Sequence, residues 1–142
     1  RWLWPGRIPL GKQTTLAGPG GVGKSFLLCD VAARVSAGME WPFSGGDLAP
    51  RGNVLYISGE DDIEDTLVPR LRLQGADLSK VAFLSPNELV GFCLAAPKFF
   101  EVTCRVLEEM GDVSLVVIDP PSSFLAGIDE NSNAEVRDSL LP

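Results

Sequence analysis

Eight residues near the start of the chain, 18–25, have the types and the spacing that phosphate chemistry needs. They read GPGGVGKS and match the pattern G-x-x-x-x-G-K-[ST] in full. Glycines let backbone N–H groups converge on one point, and a helix that starts there adds partial positive charge. Lys24 can then reach the β- and γ-phosphates of a nucleotide, while the hydroxyl of Ser25 can bind Mg²⁺. The segment therefore predicts a P-loop.

The predicted phosphate cradle is one continuous stretch of the chain. We expect its backbone amides to hold the phosphates and its lysine to act in catalysis. An accidental glycine-rich turn is the alternative, and it is disfavoured because a strand pattern precedes the motif and a helix pattern follows it. The predicted nucleotide-binding residues are Gly18, Gly20, Gly21, Val22, Gly23, Lys24, Ser25 and Phe26.

Two acidic residues follow buried apolar runs and are candidates for the rest of the site. Asp119 ends the run SLVVID, where a P-loop protein needs a second Mg²⁺ ligand. Glu60 comes directly after NVLYISG, at the carboxyl edge where open α/β sheets bind ligands, so it is a candidate base for the attacking water. Loop capping is the alternative for Asp119, and a helix N-terminus is the alternative for Glu60.

Four further acids near Glu60 are better explained by the start of the next helix. One of them, Asp61, is also a candidate partner that supports Glu60. The four are Asp61, Asp62, Glu64 and Asp65.

Strand and helix patterns alternate along the chain. The strand runs are almost continuously apolar, which is typical of a parallel sheet covered by helices on both faces. We therefore predict an α/β fold. The predicted strands are residues 13–18, 53–58, 80–85 and 114–119, and the predicted helices begin at Lys24, Ile63, Pro97 and Ala134.

Composition limits the possible function. The chain has 142 residues, 45% hydrophobic and 22% charged, which suits one globular domain. Its net charge of −7 gives no global basic field for nucleic acid or lipid, and no apolar run is long enough to span a membrane. Histidine is absent, which excludes histidine-based nucleophiles and zinc sites within the chain. Three cysteines without metal-like spacing read as buried free thiols and favour a cytoplasmic location.

Three blocks of sequence together resemble a known family. Residues 2–38 contain the P-loop, residues 51–62 read RGNVLYISGEDD, and residues 115–137 begin with LVVIDPPSSF. They are similar to the RecA-like AAA-type P-loop ATPases, in the RepA-like group of replicative helicases and primase–helicases. The resemblance implies Mg²⁺-dependent hydrolysis of ATP on a RecA-like fold. It makes Lys24 and Ser25 the Walker A pair, Asp119 the Walker B acid and Glu60 the catalytic glutamate.

The resemblance carries further expectations about partners and extent. It implies a homo-oligomeric ring, a role in DNA replication or unwinding, and contact with single-stranded DNA through regions mostly outside this chain. Members of the family continue into a strand that lies between the P-loop strand and the Walker B strand. Residues 1–142 are thus expected to form the N-terminal part of one RecA-like ATPase domain, truncated at its C-terminus, with a gap in the sheet.

Two other functions are compatible with a P-loop. A small-molecule kinase would transfer the phosphoryl group to an acceptor other than water, and it would usually carry an arginine-rich lid, whereas the arginines here are scattered. A nucleotide-dependent assembly module would bind ATP and form rings or filaments with little turnover.

Overall fold

A computed structural model of the protein describes residues 1–85 and 97–124. Within these residues three strands form a parallel sheet in the order Val81–Leu84, Asn53–Ser58, Val113–Asp119, and two short strands, Trp2–Trp4 and Ile8–Pro9, form an antiparallel pair. The predicted α/β fold, a parallel sheet flanked by helices, is confirmed and is consistent with a RecA-like P-loop fold. The elements are β1 (Trp2–Trp4), β2 (Ile8–Pro9), α1 (Lys24–Ala37), β3 (Asn53–Ser58), α2 (Val68–Leu73), β4 (Val81–Leu84), α3 (Pro97–Met110) and β5 (Val113–Asp119).

The central strand β3 is buried on both faces of the sheet. Val54 and Tyr56 face a core that includes Leu71 of α2 and Val35 of α1. Leu55, the residue between them, faces a second core with α3. Successive side chains of a strand point to opposite faces, so an unbroken apolar run is what a doubly covered strand requires. This explains why the sequence pattern located β3 without error.

Glycine defines both ends of α1. Gly23 precedes the helix with φ 87°, and Gly38 follows it with φ 71°, both in the left-handed region that favours glycine. The N–H of Gly38 donates to the carbonyl of Arg34 and so satisfies one of the last backbone acceptors of the helix. The predicted helix from Lys24 to a glycine stop is therefore confirmed, and its first turn is placed directly after the P-loop.

The predicted strand at residues 13–18 is wrong. This segment is exposed and pairs with no described strand. Residues 13–16 of this segment and residues 114–119 of β5 line the same cavity of about 780 Å³ and form no strand pairing with each other. A strand needs a partner for its backbone N–H and C=O groups, and β-prone residues alone do not supply one.

The helix predicted from Ile63 forms in two parts. A π-helical turn at Ile63–Leu67 leads into α2, and Pro69 lies at the start of α2. A proline has no N–H to donate to the carbonyl four residues before it, so the chain widens at this point. Asp62 caps the turn, because its carboxylate accepts from the N–H of Asp65 at 2.8 Å.

Two predicted features fall outside the described residues: the helix that begins at Ala134 and the thiol of Cys93. Of the other thiols, Cys29 is buried and free as predicted, whereas Cys104 is only half-buried. No helix within residues 1–85 and 97–124 is long and apolar enough to cross a membrane.

Candidate functional site

The lysine of the P-loop is hydrogen-bonded to the backbone of the same loop. The ammonium of Lys24 donates to the carbonyl oxygens of Gly18 and Pro19, at 2.8 and 2.7 Å. Two of its three N–H donors are used in this way, so the cation is held where the loop and α1 meet. Ser25 and Phe26 follow in the first turn of α1. The local fold therefore gathers a cation, a hydroxyl and the first backbone amides of a helix at one place, as phosphate binding requires.

Lys24 and Asp119 line the same cavity, the one that lies beside β5. They are 95 residues apart in the sequence and border the same space because α1 and β5 both reach this end of the sheet. The two charged groups that the resemblance assigns to the Walker A and Walker B motifs thus line one cavity. Ser25 and Glu60 are not among the residues that line this cavity.

Asp119 is fixed to the neighbouring strand through its backbone and its side chain. It ends β5 in register with Ser58, and its carbonyl accepts from the N–H of Gly59 at 2.8 Å. Its Oδ2 accepts from the hydroxyl of Tyr56 at 3.1 Å. The first bond holds the backbone of Asp119, and the second holds its carboxylate.

Tyr56 is also in contact with the P-loop helix. Its hydroxyl oxygen lies 3.9 Å from Sγ of Cys29, one turn after Ser25 on α1. Burial raises the pKa of Tyr56 and the pKa of Cys29 above their ordinary values, so both groups keep their protons. A phenol has one proton, and here it goes to Asp119, so the thiol is the donor in the Cys29–Tyr56 contact. A chain of polar groups thus joins α1 to Asp119.

Sequence reasoning missed Tyr56 and Cys29. The available signal was a tyrosine within an otherwise aliphatic strand, NVLYIS, whose buried hydroxyl must find a partner. Which residue would be that partner depends on the register between β3 and β5, where Tyr56 pairs with Val117 and Ser58 with Asp119.

Glu60 is exposed and lies at the carboxyl edge of β3. The residue before it, Gly59, is bonded to Asp119 and packs against the short helical turn Pro121–Phe124. The residue after it, Asp61, is held twice: its carbonyl accepts from the hydroxyl of Ser58 at 2.7 Å, and its carboxylate forms an ion pair with Arg70 at 2.6 Å. Both neighbours of Glu60 are therefore anchored while its own carboxylate faces solvent.

The oxygen donors of the site suit Mg²⁺. This ion prefers oxygen ligands, and it is usually bound by one or two protein groups together with phosphate oxygens and waters. The hydroxyl of Ser25 and the carboxylate of Asp119 are such groups.

Comparison with known proteins places the chain in a family. The family model described as AAA domain matches residues 1–141. No curated protein and no solved structure gives a match. Because the family model covers nearly the whole sequence, the chain belongs to the AAA domain family of P-loop ATPases.

Proposed function

We propose that the protein hydrolyses ATP with Mg²⁺ at the edge where β3 and β5 meet the P-loop. The observation that carries this proposal is that Lys24 and Asp119 line one cavity, while residues 59–62, the Glu60 loop, are bonded to Asp119 through the N–H of Gly59. A nucleoside triphosphate needs a cation for its phosphates, a carboxylate for its metal and a base for the attacking water. Residues of these three types lie around the same edge.

The P-loop residues have distinct roles in this proposal. Backbone amides of residues 20–25 hold the phosphate oxygens, and Lys24 stabilises the negative charge that develops on the β- and γ-phosphates. Ser25 and Asp119 hold Mg²⁺, which when bound would neutralise charge on the same phosphates. Tyr56 keeps the carboxylate of Asp119 turned toward the metal position.

Glu60 acts on water in this proposal. Its carboxylate accepts a proton while the water oxygen bonds to the γ-phosphorus, and the bond from that phosphorus to the bridging oxygen of ADP breaks. Exposure of the side chain leaves it able to reach a water above the phosphates. The anchored residues on each side of Glu60 limit how far its backbone can move.

The test of this mechanism is Glu60→Gln in the full-length protein. The amide keeps the size of the side chain and removes the base, so we expect phosphate release to fall about 100-fold or more while ATP binding is unchanged. Glu64→Gln, an exposed acid on the next turn, is the matched control and should keep wild-type turnover. Unchanged turnover in Glu60→Gln would remove Glu60 from the mechanism.

The assay also separates hydrolysis from the two rival functions. Phosphate release in the absence of any added acceptor supports an ATPase and contradicts a kinase. Binding of ATP without phosphate release would support the assembly module instead.

We also propose a role in DNA replication or unwinding, within a homo-oligomeric ring. The support is the resemblance of the three sequence blocks to the RepA-like helicase group. If the proposal is right, single-stranded DNA will raise the rate of phosphate release by the full-length protein, and light scattering will show an oligomer of one defined mass with ATP. A monomer whose rate of phosphate release is the same with and without single-stranded DNA would contradict this role and leave the ATPase proposal intact.

A further inference from the structure

We propose that Arg70 is a positioning residue that ties the Glu60 loop to the P-loop helix. It lies on α2 between these two parts of the site and contacts both. The inference rests on the proposed role of Glu60 in hydrolysis. It adds a residue outside the Walker motifs that determines where the catalytic carboxylate lies.

The first contact of Arg70 is with the Glu60 loop. Its Nη1 donates to Oδ2 of Asp61 at 2.6 Å, and both side chains are about one-third exposed or less, at 27% and 33%. A charge-assisted bond of this length is stronger than a neutral one, and partial burial protects it from screening by salt. Asp61 is the immediate neighbour of Glu60, so this bond acts one residue away from the proposed base.

The second contact is with the first turn of α1. The guanidinium carbon of Arg70 lies 4.8 Å from the centre of the Phe26 ring. One turn further along α2, the side-chain amide of Gln74 donates to the carbonyl of Phe26 at 3.2 Å. Phe26 follows Lys24 and Ser25 directly, so α2 is attached to the segment that carries the Walker A side chains.

These contacts form a chain of three residues from one part of the site to the other. Asp61 is also held from β3, because its carbonyl accepts from Ser58, and this leaves its carboxylate free to follow Arg70. One guanidinium therefore bridges the P-loop helix and the Glu60 loop. Arginine suits this role, since its planar group donates to a carboxylate and stacks on a ring at the same time.

Steady-state kinetics of the full-length protein test the inference. We expect Arg70→Ala to lower kcat for phosphate release about tenfold with less than a twofold change in KM, because the base is displaced while the phosphate cradle is kept. Arg70→Lys keeps the charge but loses the planar group, so it should recover only part of kcat. Arg72→Ala is the matched control: an exposed arginine on the same helix, expected to keep wild-type kinetics.

A double variant shows whether Arg70 acts through Glu60. If it does, Arg70→Ala will lower kcat no further in a Glu60→Gln background. The inference would be overturned if the losses of kcat in the two single variants multiply in the double variant. It would also be overturned if Arg70→Ala raises KM without lowering kcat. Should Arg70→Ala fail to fold, Asp61→Asn, which removes the ion pair and keeps the size of the side chain, should give the same fall in kcat with KM kept, and wild-type kcat in that variant would overturn the inference.

The kinetics of the single variants distinguish failure of the proposed function from failure of this inference. If Glu60→Gln alone keeps wild-type turnover, the proposed role of Glu60 is wrong. The positioning role of Arg70 is then wrong as well, because it rests on Glu60. If Glu60→Gln abolishes turnover but Arg70→Ala keeps wild-type kcat, the proposed mechanism stands and only the positioning role of Arg70 is overturned.

Discussion

The hydroxyl of Tyr56 donates to Oδ2 of Asp119 across the two central strands, at 3.1 Å. The bond joins the middle of β3 to the last residue of β5, and the Cys29 thiol extends it to α1. Tyr56 is fully buried, so its hydroxyl has exchanged water for this carboxylate. The core of the sheet and the proposed metal ligand are thereby parts of one polar network.

Tyr56→Phe should weaken Mg²⁺ binding without affecting the nucleotide. The change removes one hydroxyl and keeps the buried ring, so Asp119 loses a bond with a net value of about 1 kcal/mol. We expect the Mg²⁺ affinity of the ATP-bound protein to fall about fivefold, as measured by titration of Mg²⁺ at saturating ATP. Binding of ATP in EDTA should be unchanged.

Cys29→Ala is the control for Tyr56→Phe. It removes the thiol but keeps the bond between Tyr56 and Asp119, so its Mg²⁺ affinity should match that of the wild type. An equal loss of Mg²⁺ affinity in both variants would show that core packing, and not the bond to Asp119, sets the affinity.

Gly59→Ala should destabilise the protein. A methyl group at this position would lie 2.7 Å from Oγ of Ser123 and 3.1 Å from a ring carbon of Phe124, too close for either. Overpacking of this kind costs about 1–3 kcal/mol of unfolding free energy, which urea denaturation measures directly. Gly20→Ala is the control for stability, because its added methyl would meet nothing within 4 Å. Equal urea midpoints for the two variants would contradict the packing described for Gly59.

The stability contributed by Asp77 should depend on pH. The hydroxyl of Ser79 and the guanidinium of Arg51 bond to this carboxylate and hold its pKa below the ordinary value. A lowered native pKa means that the unfolded chain binds the proton more readily, so the stabilisation is complete above the unfolded pKa and is lost as the pH falls through the native one.

Unfolding of wild type and Asp77→Asn in urea at several pH values measures this effect. The difference in unfolding free energy should be largest near neutral pH and should shrink as the pH falls below about 4. A difference that stays constant from neutral pH to about pH 2 would show that Asp77 contributes through something other than its charge.

The strands of the sheet could be predicted because each is a nearly continuous apolar run, and the central strand β3 is buried on both faces. The limits of β3 match the prediction, β4 lies within the predicted run, and β5 starts one residue early. Residues 13–18 have a similar β-prone composition but form no strand among the described residues. Composition reports the preference of a segment, whereas a strand also needs a hydrogen-bonded neighbour.

The candidate site could be predicted only in part. The P-loop and Asp119 are predictions from the sequence, made because each lies at a fixed place relative to a strand pattern or a helix pattern. Tyr56 and Arg70 were not identified, since their partners are 63 and 9 residues away and depend on strand register and on how α2 packs against α1. A local motif reveals the groups that touch the ligand, and tertiary packing determines the groups that hold them in place.

Calorimetric titration of the folded full-length protein with ATP, with and without Mg²⁺, tests the central claim most directly. The account predicts Mg²⁺-dependent binding of ATP by the wild type and binding about 10- to 100-fold weaker by Lys24→Ala, because the variant loses a charged hydrogen-bond donor to the phosphates. No Mg²⁺-dependent uptake of ATP or GTP by the wild type, or equal affinity in the variant, would contradict it.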